Sequence, residues 1–274
     1  LEYALFSREE IESRYARARE RMARQGMDAL LVSGEENFHY FAGAAASLGL
    51  HQSLTRPSVF ILPLDREPII VTQGRHNLEL GTYVADLRDY SSLLDFPHKV
   101  VLDALQDAGL EHHLIGVELG QEQRMGMPVG TYLDLVAALP RTRFVDAADI
   151  FIQLRMVKSG EELACMRKAA DITGKARQRL FDQVEPGMTE RQVARLLRQL
   201  VLEEGGDGTS FVILQLGLPG AGNPFHYDRP LEKGTVLAVD TGACVGMYTV
   251  DYPRMAILGR ATDEQRRVYR AVLE

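Results

Sequence analysis

A chain of 274 residues with 46% hydrophobic and 25% charged content holds enough apolar side chains for one or two folded domains. Its formal net charge of -7 comes from 31 basic and 38 acidic residues interspersed without a block of either sign, which argues against nucleic acid or an anionic membrane surface as partner. No apolar stretch approaches the roughly 20 residues of a membrane span, the start Leu1-Glu2-Tyr3 lacks signal-peptide features, and Cys165 and Cys244 share no CxxC spacing. A reduced, cytoplasmic protein with an N-terminus trimmed of its Met is the expectation.

In chain order, Ser7-Arg8-Glu9-Glu10 predicts a capped helix running to about Gln25, with Gly26 ending it. Residues 28–33, 59–62 and 68–72 read as buried strands, with Leu64-Asp65-Arg66-Glu67 turning between the last two. A helix over about 97–108 precedes a strand at 114–118, and a helix over 131–138 precedes a strand at 143–146. This alternation predicts an α/β domain over 1–150 and a second unit over 151–274.

The second unit opens with a long helix that Ser159 can cap, apolar at Leu163, Met166, Ala170, Ile172 and Ala176 and stopped by Pro186-Gly187. Thr189 caps another, apolar at Val193, Leu196, Leu197, Leu200 and Val201, with Glu190 favouring the positive end of its dipole. Strands are predicted at 211–216, 235–240, 247–251 and 255–258.

Two of those strands end in a carboxylate, Asp240 and Asp251. A two-residue hairpin turn at Val245-Gly246 places them directly opposite each other, roughly 5 Å apart on largely apolar strands. Two like charges there are unfavourable unless one is protonated or a cation lies between them. Carboxylate oxygens prefer ions such as Mn, Mg, Fe or Co, and two carboxylates can bridge a metal pair that activates a shared water. A pair of solvated strand-end aspartates is the alternative, and spacing alone leaves both open.

The segment Asp240-x-Gly242 followed by Gly246-x-Tyr248-x-x-Asp251-x-x-Arg254 and Gly259 resembles the first metal-ligand motif of the pita-bread hydrolases, peptidase family M24, which include prolidase, aminopeptidase P, creatinase and methionine aminopeptidase. Arg155-x-x-Lys158-Ser159-x-x-Glu162, Glu185-Pro186-Gly187-Met188-Thr189-Glu190 and Thr262-x-x-Gln265-x-x-Val268-Tyr269 are similar to neighbouring parts of the same catalytic domain. Gly26-Met27-Asp28-Ala29-Leu30-Leu31 and Asn37-Phe38-His39-Tyr40-Phe41-Ala42-Gly43 look like the creatinase/prolidase N-terminal domain, which favours the prolidase and aminopeptidase P branches.

The resemblance implies an α/β N-terminal creatinase/prolidase-type domain plus an α+β pita-bread catalytic domain of which this chain holds the first half. It implies a Xaa-Pro dipeptidase or aminopeptidase acting on a peptide or small amide, with creatinase-, ectoine hydrolase- or dimethylsulfoniopropionate lyase-like chemistry and a noncatalytic binding module as alternatives. Two divalent metal ions are implied, Mn in first place with Co, Fe or Zn as alternatives, and so is a homodimer. Asp240 and Asp251 become metal ligands. His226, in Asn223-Pro224-Phe225-His226-Tyr227, becomes the catalytic histidine that contacts substrate and stabilises the tetrahedral intermediate. The remaining ligands, a histidine and two glutamates, are expected beyond Glu274, so this stretch alone is expected to bind metal weakly, to be inactive and to leave apolar faces uncovered. Tyr40 and Arg56 are weaker candidates for reaching a neighbouring protomer's pocket. The other histidines, His39, His51, His76, His98, His112 and His113, read as surface or core residues. Pro253 departs from the family's small hydroxyl residue and removes a backbone N–H near Asp251, which puts proline dipeptidase specificity in question.

Overall fold

The computed structural model describes residues 4–44, 56–75, 78–92, 96, 98–217 and 228–274. The chain divides into two compact units, Leu1–Ser159 and Gly160–Glu274.

In the first unit, α1 (Arg8–Gln25) starts where the Ser7 hydroxyl accepts from the Glu10 N–H, and it ends where Gly26 turns left-handed at φ 66°. Then follow β1 (Ala29–Val32), α2 (Glu35–Ala42), β2 (Val59–Pro63), β3 (Ile69–Gln73), β4 (Asp86–Tyr90), α3 (His98–Asp107), β5 (Leu114–Val117), α4 (Val129–Ala138), β6 (Arg143–Asp146) and α5 (Ala148–Met156). The strands form one sheet in the order β4-β3-β2-β1-β5-β6. β2 runs antiparallel to β1 and β3, and the other neighbours are parallel. β1 and β2 are buried at every position, so their sequences are continuous apolar runs and do not alternate. The sequence-expected junction at 150/151 falls inside α5.

Three elements lacked a local signal. β4 is Asp-Leu-Arg-Asp-Tyr, too polar for a core strand, because it is an edge strand of the sheet in which only Tyr90 is buried. α5 follows Ala147, which offers no capping side chain. α2 follows Gly34, which has no capping side chain. Its N-terminus is capped from 84 residues away: the buried Glu118 carboxylate accepts from the N–H groups of Ser33 and Gly34 at 2.8 and 2.7 Å and from Asn37 Nδ2 at 2.7 Å.

In the second unit, α6 (Gly160–Gln183) and α7 (Glu190–Glu203) pack against one face of a sheet formed by β7 (Gly208–Leu216), β8 (Val236–Val245), β9 (Tyr248–Thr249) and β10 (Arg254–Ile257), followed by α8 (Asp263–Leu273). Thr189 and Gln192 form a reciprocal capping box on α7, and Thr262 and Gln265 do the same on α8. The core joins Ile172, Ala176, Leu180, Val193, Leu197 and Val201 of the helices to Val212, Leu214, Leu237, Val239 and Ala243 of the strands. β8 continues five residues past the end expected from sequence, because Thr241 and Ala243 carry the inward alternation of Leu237 and Val239 through Asp240. α8 has no buried residue; its Val268, Tyr269 and Val272, together with Val236, Met255 and Ile257, line an apolar cleft of about 530 Å³.

Candidate metal centre

β8 is the axis of the site. Its odd-numbered residues point into the helical core, so Asp240 faces the other side of the sheet, where Ile213 of β7 stands directly across from it. The turn that returns the chain is Gly246-Met247, with φ 56° and 66°, and not Val245-Gly246. This corrects the expected register by two residues. The pairs Val245 with Tyr248 and Val239 with Arg254 place Asp240 opposite Pro253, and Asp251 opposite Gly242. The two aspartates are therefore diagonal neighbours on one face, a geometry in which long polar side chains still meet.

Their carboxyl groups do meet. Asp240 is held above the usual carboxylate range first by burial, then by the Asp251 carboxyl at hydrogen-bonding range, then by its charge. Asp240 Oδ1 is buried and has no hydrogen-bond partner. A buried, unpaired carboxylate oxygen beside a second carboxylate fits a divalent cation, whose hard oxygen preference both groups satisfy. Among the described residues, no group of three or more His, Cys, Asp or Glu gathers around a common point. Asp240 and Asp251 fit as two ligands of a larger set.

The segment carrying Asp251 is built unusually. β9 stops at Thr249 and β10 resumes at Arg254, so residues 250–253 lie in a break of the ladder, and Pro253 sits where no N–H is needed. The chain approaches Gly242 so closely there that an added Cβ would fall inside the Val250 carbonyl oxygen. The Gly of the Asp-x-Gly motif is thus required by backbone approach. The hairpin tip is tied down by Tyr248, whose hydroxyl donates to the buried Glu162 at 2.8 Å, and by the Gly246 N–H, which donates to Asp207 Oδ2 at 2.7 Å. Arg177 of α6 donates to the Tyr252 carbonyl. Gly246, Tyr248 and Glu162 stand among the residues that carry the family resemblance, whereas Asp207 and Arg177 carry no signature in sequence; Arg177 reads there as one more cation on a charged helix.

His226 lies outside the described residues, as do His51 and His76. Tyr40 is 3% exposed and its hydroxyl is engaged within its own unit, accepting from Arg17 at 3.1 Å and directed at the Leu154 carbonyl at 3.4 Å.

Residues 14–157 match the creatinase/prolidase N-terminal domain and residues 164–274 match metallopeptidase family M24. The chain belongs to this family. It is 23% identical over 257 residues to the Xaa-Pro dipeptidase of Pyrococcus horikoshii, covering 92% of this chain and 66% of that one. It is 25% identical over 293 residues to the ectoine hydrolase of Halomonas elongata, covering 98% of this chain and 71% of that one. Among solved structures, the recombinant prolidase from Thermococcus sibiricus superposes with a TM-score of 0.80 at 25% identity, over 96% of this chain and 70% of the other. The family member thus spans about two thirds of the length of the dipeptidase it matches. Its two family matches fall one in each compact unit, the creatinase/prolidase-type α/β domain and the pita-bread domain expected from the sequence.

Proposed function

We propose that the whole protein is a metal-dependent hydrolase that cleaves the peptide bond before a proline, as a Xaa-Pro dipeptidase or aminopeptidase. The observation that carries this reading is the buried, unpartnered oxygen of Asp240 next to Asp251, in a chain of the M24 family similar to a Xaa-Pro dipeptidase. Asp240 and Asp251 would hold the metal, with Mn preferred and Co, Fe or Zn as alternatives. Divalent ions in such a site supply Lewis acidity, polarising a carbonyl and lowering the pKa of water. Ile213 stands across from Asp240, whose Oδ1 is buried and has no hydrogen-bond partner, so its negative charge is available to a cation. His226 is proposed to contact the substrate and stabilise its tetrahedral intermediate. A cytoplasmic homodimer completes the reading; among the described residues no helix is long and apolar enough to cross a membrane.

A small non-peptide substrate such as an amide is the second reading, favoured by similarity to ectoine hydrolase and by Pro253 beside Asp251. Metal analysis of the natural protein and assay of Xaa-Pro dipeptides with and without Mn separate the two. About two metals per chain with Mn-dependent proline release supports the peptidase. A metal-loaded protein inert to dipeptides but active on small amides moves the assignment to the second reading, and a protein that takes up no metal sinks both. His226→Ala is expected to lower kcat by about a hundredfold, in line with loss of one stabiliser of the reacting group.

A further inference from the structure

The backbone around Asp251 is not held by the sheet. Residues 250–253 have no ladder partner on β8, Pro253 offers no N–H, and Gly242 opens room for the Val250 carbonyl without gripping it. Val250 at its start packs against the core, and what reaches the backbone that follows Asp251 is the side chain of Arg177. It is 5% exposed, projects from α6, donates through Nη1 to the Tyr252 carbonyl, and lays its guanidinium over the Tyr252 ring at 4.5 Å. Arg254 lies over the same ring at 4.3 Å and donates to the Tyr252 hydroxyl at 3.1 Å. Burial, then the nearby charge of Arg254, make the protonated Arg177 less favourable than a free arginine. An apolar side chain would fill the same space without that penalty, so the directional contacts of the guanidinium are what offset it.

We propose that Arg177 is a positioning residue for Asp251: by fixing the carbonyl and ring of Tyr252, it sets the direction in which the preceding carboxylate meets Asp240. The proposal rests on the metal-hydrolase reading for its consequence, but its geometric content is independent of it. The peptide plane between Tyr252 and Pro253 is anchored at its oxygen, and the ring of Tyr252 is clamped, which together restrict the backbone rotations that would swing Asp251 away.

The test uses the natural protein with Arg177→Met, Arg177→Lys and, as a control on the same helix, Arg179→Gln, whose arginine pairs on the surface with Glu203 and Glu204. Mn²⁺ affinity is read from the free-ion electron paramagnetic resonance signal, and mobility from hydrogen exchange of the peptide covering 247–255. Arg177→Met is expected to weaken Mn²⁺ binding at least tenfold and to speed exchange in that peptide at least tenfold. Arg177→Lys, which keeps a cationic donor, recovers affinity to within about threefold of wild type, and Arg179→Gln changes neither. Folded Arg177→Met with wild-type affinity overturns the proposal while leaving the metal reading intact. Wild-type protein that binds no Mn²⁺, but whose exchange at 247–255 still depends on Arg177, upholds the positioning role and removes the metal reading. If Arg177→Met does not fold, Arg177→Gln supplies the same comparison.

Discussion

Asp240 combines a buried oxygen without a partner and a second carboxyl within hydrogen-bonding range, so in the metal-free protein it is a source of strain. The sign follows from its raised pKa. A carboxyl that binds its proton more tightly when folded favours the folded state at low pH, and that advantage is lost as pH rises through the folded-state pKa. Asp240→Asn removes the repulsion. Metal-free Asp240→Asn is therefore expected to be more stable than wild type at pH 7, with the difference closing as acidification protonates the carboxyl. Saturating Mn²⁺ should raise the melting temperature of wild type and leave the variant unmoved. A metal-free variant less stable than wild type at pH 7 would show that the pair is not strained. Both aspartates were legible in the sequence because a carboxylate closing an apolar run is conspicuous. Their register was not, because the turn places Met247, a residue without glycine's freedom, at positive φ.

The hairpin is the element on which the site depends, and Gly242 is the point where its two arms come closest. An added methyl there meets the Val250 backbone, which cannot rotate aside as a flexible side chain could. Gly242→Ala is expected to cost about 3 kcal/mol and to abolish Mn²⁺ binding by displacing the Asp251 segment, both measurable on purified protein by urea midpoint and metal titration. Gly174 gives the contrasting case: it lies inside α6 with open space around its missing Cβ, so Gly174→Ala should stabilise by about 0.5–1 kcal/mol. Equal effects from the two substitutions would contradict the close-approach argument. The same contrast explains which elements could be read in advance. α1 and α7 announce themselves through Ser7 and Thr189, which act within three residues of themselves. α2 depends on Glu118, and the anchoring of residues 250–253 depends on Arg177, partners that only the folded chain brings near.

Across the whole molecule, the histidines divide unevenly between the two units. Six of the seven histidines precede Ser159, and His226 alone follows it. His39 is the one whose burial has the largest electrical consequence among the described residues: enclosed at 6% exposure, it is pushed down from 6.5 to about 4, first by burial and then by the charges of Arg14 and Arg155. The unfolded chain takes up a proton at about pH 6.5 that the folded chain refuses until about 4, so this group's contribution is complete above 6.5 and declines as the pH falls through that window. Two carboxyls work the other way. Glu118 in the first unit and Asp240 in the second both have raised pKa values, each with burial as the leading cause, and acidification favours their folded forms. A bare pH profile therefore mixes opposing slopes, and the contribution of His39 must be isolated by difference. The stability of wild type relative to His39→Gln, from urea midpoints of the first unit's transition at pH 7.0, 6.0 and 5.0, should fall with acidification by up to about 1.4 kcal/mol per pH unit between 6 and 5 and stay level above 7. Parallel profiles for the two proteins would mean that His39 is protonated while folded, and that Arg14 and Arg155 do not govern it.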